Sequence, residues 1–566
     1  EHIPIAHSPR TERDPMWVGD SVVFSSDRDD RLNLYRANVA TGAVEQLTHH
    51  DPSDVRWPAT DHASRVVYEL DGTLRIFDLS TGADTAIPIT VPDDGLWKRP
   101  RRIPVAGNVS DFGLAPDGSR ALFVARGEVF SSPTEKGHTR NLTRSSGAHD
   151  RAAAWSPDGE LVAYISDASG EDEIWLVPQD GSEPARQLTT GHSARLMSLH
   201  WSPDGERIAL TDYLGRLNVI SVADGTETPV ADDPWRGIGD IAWSPNGGHL
   251  AFSLRSKVQV QRIHVWSAAS GQLQPVTSEL FSAWSPSWDP KGNYLFYLSD
   301  RSFAPQISDL EWNYAGNRRA RPYALALRGD VEPLFPPKSD KVSLKDDEPS
   351  EAKKESKEAA DTKKKPEAIE IEFTGLGART MRIPVAPDNC GSLTSVDGHL
   401  LYTTSTAFYY GGSFPNDTTL HLYSLKDRES SVLVDKIGGH AISADGKKLL
   451  VRKSGAFHLF DVAKGAEGKA VSTSALEMDL DPAAEWVEVF DETWRLFRDY
   501  FYVENMHGYD WAELKARYGS LLPHVAHRSD LNYVISEMIG ELSIGHTYVS
   551  GGDYEIPARP TVGLPG

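Results

Sequence analysis

Along most of the chain, apolar and polar positions alternate in short runs, and the runs recur. A phrase of an aromatic residue, Ser, Pro, Asp, Gly, two polar residues and an apolar strand appears as Trp155-Ser-Pro-Asp-Gly159, Trp201-Ser-Pro-Asp-Gly205, Trp243-Ser-Pro-Asn-Gly247 and Trp288-Asp-Pro-Lys-Gly292. Weaker copies stand at Ala115-Pro-Asp-Gly118, Ser395-Val-Asp-Gly398 and Ser443-Ala-Asp-Gly446. The seven glycines are 41, 46, 42, 45, 106 and 48 residues apart, with one interval enlarged by an insertion. Pro presets the first turn dihedral, and Asp-Gly or Asn-Gly accepts the left-handed conformation that joins antiparallel strands. Alternating runs follow each turn, such as Leu161-Val-Ala-Tyr-Ile165 and Tyr294-Leu-Phe-Tyr-Leu298. A third run precedes a second turn, as in Glu173-Ile-Trp-Leu-Val177, and closing phrases such as Asn141-Leu-Thr143, Gln187-Leu-Thr189 and Pro275-Val-Thr277 fit a fourth. Four short strands per repeat is the signature of a β-propeller blade, and seven copies predict a seven-bladed propeller over residues 91–480. Residues 1–90 carry the same chemistry in Ser21-Val-Val-Phe-Ser25, Leu32-Asn-Leu-Tyr35, Gln46-Leu-Thr48 and Arg65-Val-Val-Tyr-Glu69, which read as two more blades. Two blades cannot close a ring, so they are expected to end a second propeller that begins upstream.

At Asp481-Pro482 the period changes. Asp can cap a helix and Pro suits its first turn. Trp486, Phe490, Trp494, Phe497 and Phe501 then form one apolar helical stripe. A second helix is predicted to open at Asp510, with Glu513 completing a capping box, and to carry Trp511, Leu514, Tyr518 and Leu521. A third starts near Ser529 and repeats Leu531, Val534, Ile535, Met538, Ile539 and Leu542. Three amphipathic helices need a core of their own or a partner. Between the fifth and sixth blades, residues 338–367 hold nine Lys and nine Asp or Glu and no aromatic residue, which predicts a solvated excursion rather than a basic docking tail.

Composition narrows the functional classes. The chain has 566 residues, too many for one compact domain, and a formal charge of −23 that opposes binding to nucleic acid or an anionic membrane. The 338–367 insertion is neutral by count, so that charge lies elsewhere. Hydrophobic residues make up 39%, a globular composition in which 46 Gly and 36 Pro suit blade turns. A single cysteine, Cys390, excludes an internal disulfide and a Cys-rich zinc site, and points to a reducing compartment. No apolar run approaches the 18 residues of a membrane span. Position 1 is Glu, which suggests the middle of a longer chain.

Motifs that carry chemistry are sparse. No Gly-x-Ser-x-Gly elbow, His-Glu-x-x-His, P-loop or dinucleotide glycine pattern occurs, so no metal or cofactor is expected. This disfavours a prolyl oligopeptidase arrangement. The repeated Trp and Asp of the blades read as structural, because propellers usually bind rather than catalyse. Arg101 and Arg102 read as blade-surface residues. After the third helix runs Gly540-Glu-Leu-Ser-Ile-Gly-His-Thr-Tyr-Val549, with His546 between a Gly and the β-like run Thr547-Tyr-Val549. A lone His is usually structural.

The collinear order of late blades, a seven-bladed propeller with a Lys/Glu insertion, helices and that final phrase resembles the tricorn proteases and their bacterial homologues. Trp97-Lys-Arg-Pro100, Gly107-Asn-Val-Ser-Asp-Phe112, Asn505-Met-His-Gly508 and Glu537-Met-Ile-Gly-Glu-Leu542 are similar to that family as well. The resemblance implies a cytoplasmic serine peptidase that trims oligopeptides, assembled as a hexamer, with propellers flanking the route to the active site. It implies that His546 is the general base for a nucleophilic Ser beyond a PDZ-like module, with a Glu further on orienting the His. The chain departs from the pattern at Gly545, where archaeal tricorn has Ser; Ser543 lies three residues before the His and does not inherit that role. It ends at Gly566, before the PDZ-like module, the nucleophile and the orienting Glu.

The expected fold is therefore mainly β: residues 1–90 as the last blades of a six-bladed propeller, 91–480 as a complete seven-bladed propeller, and 481–566 as the small helical start of a catalytic domain. The expected function is peptide hydrolysis through an acyl-enzyme, with this fragment inactive alone. The alternative is a non-catalytic scaffold of the TolB-like propeller type, which would require neither His546 nor the helices leading to it.

Overall fold

In the computed structural model, the structure describes residues 5–51, 53–302, 306–307, 314–315, 318–336, 368–406 and 417–554. The charged stretch 338–367 lies outside the described residues. The chain divides into two compact units, residues 98–511 and residues 1–97 with 512–566.

Unit 98–511 is a succession of antiparallel sheets of consecutive strands. Four of them have four strands each and span Val109–Asn141, Arg151–Gln187, Leu196–Asp232 and Gly239–Pro275. A fifth combines Ala283–Trp288, Tyr294–Ser299, Arg321–Ala326 and Thr380–Arg382. The strands that flank the charged insertion thus pair with each other, Ala324 opposite Met381. The insertion interrupts one sheet between its third and fourth strands instead of separating two sheets. Then comes a seven-stranded sheet from Cys390–Val396 to Lys469–Val471, whose 14-residue strand Glu429–Ile442 pairs at one end with Thr418–Ser424 and at the other with Lys448–Lys453.

The first strands of successive sheets pack side by side, and Val109–Leu114 of the first lies against Glu429–Ile442 and Lys448–Lys453 of the last. One hydrophobic cluster accordingly mixes Ala121, Phe123 and Phe130 with Leu450, Phe457 and Met478. Phe457 meets Phe112 and Phe123 edge to face at 5.0 and 4.8 Å. Arg101–Pro104 pairs antiparallel with Glu477–Leu480, joining the two ends of the series, and Arg102 Nε lies 2.8 Å from Glu477 at the surface.

The repeated phrase folds as a hydrogen-bonded turn. At Trp201-Ser-Pro-Asp-Gly205, the Gly205 N–H donates to Ser202 O at 2.9 Å. Ser202 Oγ donates to Asp204 Oδ1 at 2.5 Å and accepts from the Arg207 N–H at 3.0 Å. Of the Asp-Gly pair only Gly205 is left-handed, at φ +75°; Asp204 acts through its side chain, as Asx turns do. Ser156, Ser244 and Ser443 repeat the arrangement. The closing Thr also has a fixed task. Thr143, Thr189 and Thr277 Oγ1 accept from the N–H of Val129, Ile174 and Ile263 on the third strand, at 3.1, 2.9 and 2.9 Å.

The repeated Trp links neighbouring sheets. Trp201, Trp243 and Trp288 Nε1 donate to the carbonyls of Ala154, His200 and Ala242 in the preceding sheet, at 3.2, 3.0 and 3.0 Å. Each acceptor directly precedes the previous Trp of the series. Trp155 has no such predecessor, and its indole N–H finds no acceptor among the described residues.

Helix α1 (Pro482–Tyr500) belongs to this unit and starts as predicted, with the Asp481 carboxylate accepting from the Ala483 and Ala484 N–H groups. Trp486 and Phe490 are buried. The opposite, polar row reaches the sheets through ion pairs, and Tyr500 adds a ring contact with Tyr213. Arg126 forks onto Glu485 at 2.7 and 2.9 Å, His149 and Arg195 meet Glu492 at 2.7 and 2.9 Å, and Arg498 forks onto Glu171 at 2.6 and 2.9 Å. Arg495 is buried, bonded to Asp167 and, at 2.8 Å, to Glu488. Burial raises the Glu488 carboxyl well above its ordinary value of 4.5, and the neighbouring Asp167 adds to the shift. For Glu492 burial acts in the same sense, but His149 and Arg195 outweigh it and hold that carboxyl down at about 2. Trp494 and Trp511 then exchange indole N–H bonds to each other's carbonyls, at 2.7 and 3.0 Å.

Unit 1–97 with 512–566 contains two four-stranded antiparallel sheets, from Glu12–Val18 to Val44–Gln46 and from Arg56–Thr60 to Asp84–Ala86. Their shared core holds Met16, Val23, Leu34, Val66, Tyr68 and Phe77. Helices α2 (Trp511–Gly519) and α3 (Arg528–Gly540) complete the helical set. Among the described residues no helix is long and apolar enough to cross a membrane.

Three outcomes are expected. Trp243→Phe destabilises the protein by about 1 kcal/mol more than Trp155→Phe, because only the first strands a buried acceptor; equal denaturant midpoints in circular dichroism would contradict the inter-sheet bond. Arg495→Met costs about 3–5 kcal/mol by leaving the Asp167 carboxylate buried and unpaired. Because burial favours the protonated Glu488 carboxyl in the folded state, while the unfolded state releases that proton near pH 4.5, this group's contribution to stability falls as pH rises beyond that value. Glu488→Gln therefore stabilises at pH 8, by on the order of 1 kcal/mol, and not at pH 4.5.

Candidate active site

Helix α3 positions the segment that carries His546. Its start is capped by a histidine: His527 Nδ1 accepts from the Ser529 N–H at 3.2 Å, while Asp530 Oδ2 accepts from the His527 N–H at 2.9 Å. This is the reciprocal logic of a capping box with imidazole in the place usually taken by Ser or Thr, one residue earlier than the sequence pattern suggests. Leu531, Val534, Ile535, Met538 and Ile539 face the core as predicted. Asn532 shares that buried face because its amide is used, donating to Gly551 O at 2.8 Å and to Tyr554 Oη at 3.2 Å.

The residues between are a loop held at both ends. Leu542 is 2% exposed and anchors the start, with its N–H on Ile539 O, and the Asn532 bond to Gly551 anchors the end. Thr547–Val549 is not a strand; the run has nothing to pair with among the described residues. His546 is exposed, left-handed at φ +62°, and its ring makes no hydrogen bond or ion pair with the described residues. Ser543 is also left-handed, at φ +50°, and no bond joins it to His546. At Gly545 a Cβ would meet nothing within 4 Å, so a Ser at that position would fit.

The sequence reading missed a cluster at the far end of α3. Arg56 bonds Glu537, lies 3.7 Å from Glu541, and donates to Tyr518 Oη at 3.3 Å. Tyr518 Oη donates to Glu541 at 2.5 Å, and Arg517 stands 3.8 Å from the same carboxylate. These groups border a cleft of about 250 Å³ also lined by Glu69 and Tyr533. The sequence does carry one signal: two carboxylates four residues apart at the negative end of a helix dipole, each unfavourable by about half a kcal/mol, favour a cation supplied from outside the helix.

The chain's one thiol is shielded from solvent. Cys390 is buried with its thiol on Ala320 O at 3.4 Å, and burial pushes it up to about 12. Among the described residues no cluster of His, Cys, Asp and Glu could hold a metal ion.

Residues 109–463 match the tricorn protease second beta propeller domain, and residues 482–540 match the tricorn protease C1 domain. Tricorn protease homolog 1 of Streptomyces coelicolor is 29% identical over 564 residues, covering 95% of this chain and 51% of that protein. The tricorn protease of Thermoplasma volcanium is 24% identical over 566 residues, covering 97% and 51%. A crystal structure of the tricorn protease is alike in fold, with a TM-score of 0.77 and 21% identity over 95% of this chain and 50% of that one. The chain thus spans about half the length of the curated relatives it matches. These likenesses do not favour the TolB-like scaffold, and the match over residues 109–463 makes the chain a member of the tricorn protease family.

Proposed function

We propose that this chain is part of a serine peptidase that hydrolyses oligopeptides through an acyl-enzyme, with His546 as its general base. The observation that carries the reading is the place of His546: six residues beyond the C1 match, exposed, and on a loop tethered at both ends. An imidazole meant to take a proton from a hydroxyl must be open to substrate and nucleophile, and its backbone must be held. The left-handed φ adds support, since strained non-glycine residues collect at functional sites.

In this mechanism His546 removes the proton from a Ser hydroxyl supplied by the longer protein, and the oxygen attacks the scissile carbonyl. The imidazolium gives its proton to the leaving amine, and water, deprotonated by the same His, releases the acid product. A Glu of the longer protein orients the ring, and backbone N–H groups hold the oxyanion. Residues 91–480 act as a seven-bladed propeller, a reading supported by the five four-stranded sheets and by the long strand Glu429–Ile442, which serves two blades of the seven-stranded sheet. Residues 1–90 are the last blades of a six-bladed propeller and 481–566 begin the catalytic domain. The propellers gate substrate and product passage, the assembly is a cytoplasmic hexamer, and the partners are peptides.

In the complete gene product, His546→Ala is expected to lower kcat/KM for oligopeptides by about 10³-fold or more, as loss of an imidazole base does in other serine peptidases. Turnover equal to wild type would remove His546 from the mechanism. Residues 1–566 alone are expected not to hydrolyse fluorogenic peptides; turnover that His546→Ala abolishes would reveal a nucleophile within the chain.

A further inference from the structure

We propose that Arg56 is a positioning residue for the peptidase reaction: by bridging Glu537 and Glu541 it fixes the end of α3 from which the His546 loop departs. This rests on the reading of His546 as general base. The chain of contacts is short. Glu541 directly follows the last residue of α3, and His546 comes five residues later. Between them, Leu542 N–H bonds Ile539 O and Ser543 N–H bonds Gly540 O, so the loop's first residues continue the helix's last turn.

That last turn is poorly stabilised by its own sequence. It holds no basic residue, while Glu537 and Glu541 place two like charges four residues apart at the negative end of the helix dipole. Both carboxylates are about one-fifth exposed, too enclosed for water to screen them fully. The missing positive charge comes from the first residue of strand Arg56–Thr60, more than 480 positions earlier in the chain. The Arg56 guanidinium reaches Glu537 with Nη1 and faces Glu541 and Tyr518 Oη with Nη2. Tyr518 Oη closes the set onto Glu541, with Arg517 beside it. A planar fork can serve both carboxylates at once, which an ammonium cannot do equally well. With the fork removed, the two carboxylates repel, the last turn of α3 frays, and the His546 loop loses its first anchor.

The test is steady-state peptide hydrolysis by the complete gene product. Arg56→Ala is expected to lower kcat by about 10- to 100-fold, the scale of a misplacement near 1 Å, with KM within about threefold of wild type. Arg56→Lys is expected to fall between the two. Adding Glu537→Gln and Glu541→Gln to Arg56→Ala removes the repulsion and is expected to restore kcat to within about threefold. A general loss of folding would not be repaired by deleting two more charges, so this rescue separates positioning from bulk stability. If His546→Ala is inactive while Arg56→Ala keeps wild-type kcat, or while the triple variant is no better than Arg56→Ala, the positioning role is overturned and the base assignment stands. If His546→Ala is fully active, both fall together.

Discussion

The second strands of the four-stranded sheets of unit 98–511 are buried on both faces, and that constraint organises the rest. In Tyr294–Ser299 all six positions are buried, and in Leu161–Ser166 all but the first. A strand with consecutive buried positions must be covered from both sides. In a row of such sheets the terminal pair would each expose one apolar face, unless the row curves until the last covers the first. The cluster that mixes Phe123 with Leu450 and Phe457 is that closure. It also dictates that Arg101–Pro104 and Glu477–Leu480 meet, because the chain must enter and leave where the first and last sheets touch.

Once the sheets are closed on themselves, much of what remains for α1 to bind is polar, with Tyr500 against Tyr213 as an aromatic exception. Its row of Glu485, Glu488, Glu492, Arg495 and Arg498 faces Arg126, Asp167, Glu171, His149 and Arg195, which come from the first three sheets or the segments between them. Such pairs add little at an exposed surface, but Asp167 and Arg495 have side chains only 2% and 8% exposed. There each charge is costly without the other, so the contact is specific even where its net contribution to stability is small.

The parts of this architecture legible in sequence are those in which one residue type has one local task. Ser-Pro-Asp-Gly encodes its own turn, Leu-Thr closes a sheet, and Asp481-Pro482 opens α1, because partner and signal lie within a few residues. The repeated Trp was readable as structural, though not as a donor to the neighbouring sheet, since its acceptor is a backbone carbonyl more than forty residues away. Long-range facts stayed hidden. Nothing in the 338–367 composition says that its flanking strands pair, and nothing marks Glu429–Ile442 as one strand with two partners. The apolar stripe of α1 was visible, but the ion pairs that its polar row makes with the sheets were not. Arg56 and Glu537 show the same limit: charge pairing across hundreds of residues has no periodicity. His546 could be singled out by family resemblance alone; its exposure and its tethered loop are properties of the fold.

Backbone strain behaves differently at the sheets and at His546. Asp14, Trp57, Ala152, Asp240 and Ser285 are all left-handed without being glycine, and each falls at the register shift of a sheet's first strand. In these five strands the cause is geometric: the bulge bends the strand while its pairing continues, and the residue there takes the unfavourable φ, whereas the first strands Val109–Leu114, Leu196–Trp201 and Cys390–Val396 shift register without a left-handed residue. The cost is offset by local bonds, as when Ser25 Oγ donates to Asp14 at 2.6 Å and Ser253 Oγ to Asp240 at 3.1 Å. His546 has no such cause. It lies in no strand, faces no register shift, and makes no side-chain bond with the described residues that would offset about 1–2 kcal/mol of left-handed strain. A bulge explains the strain in the sheets as architecture; His546 carries the same conformation in a loop anchored on either side, where the fold gains no pairing from it.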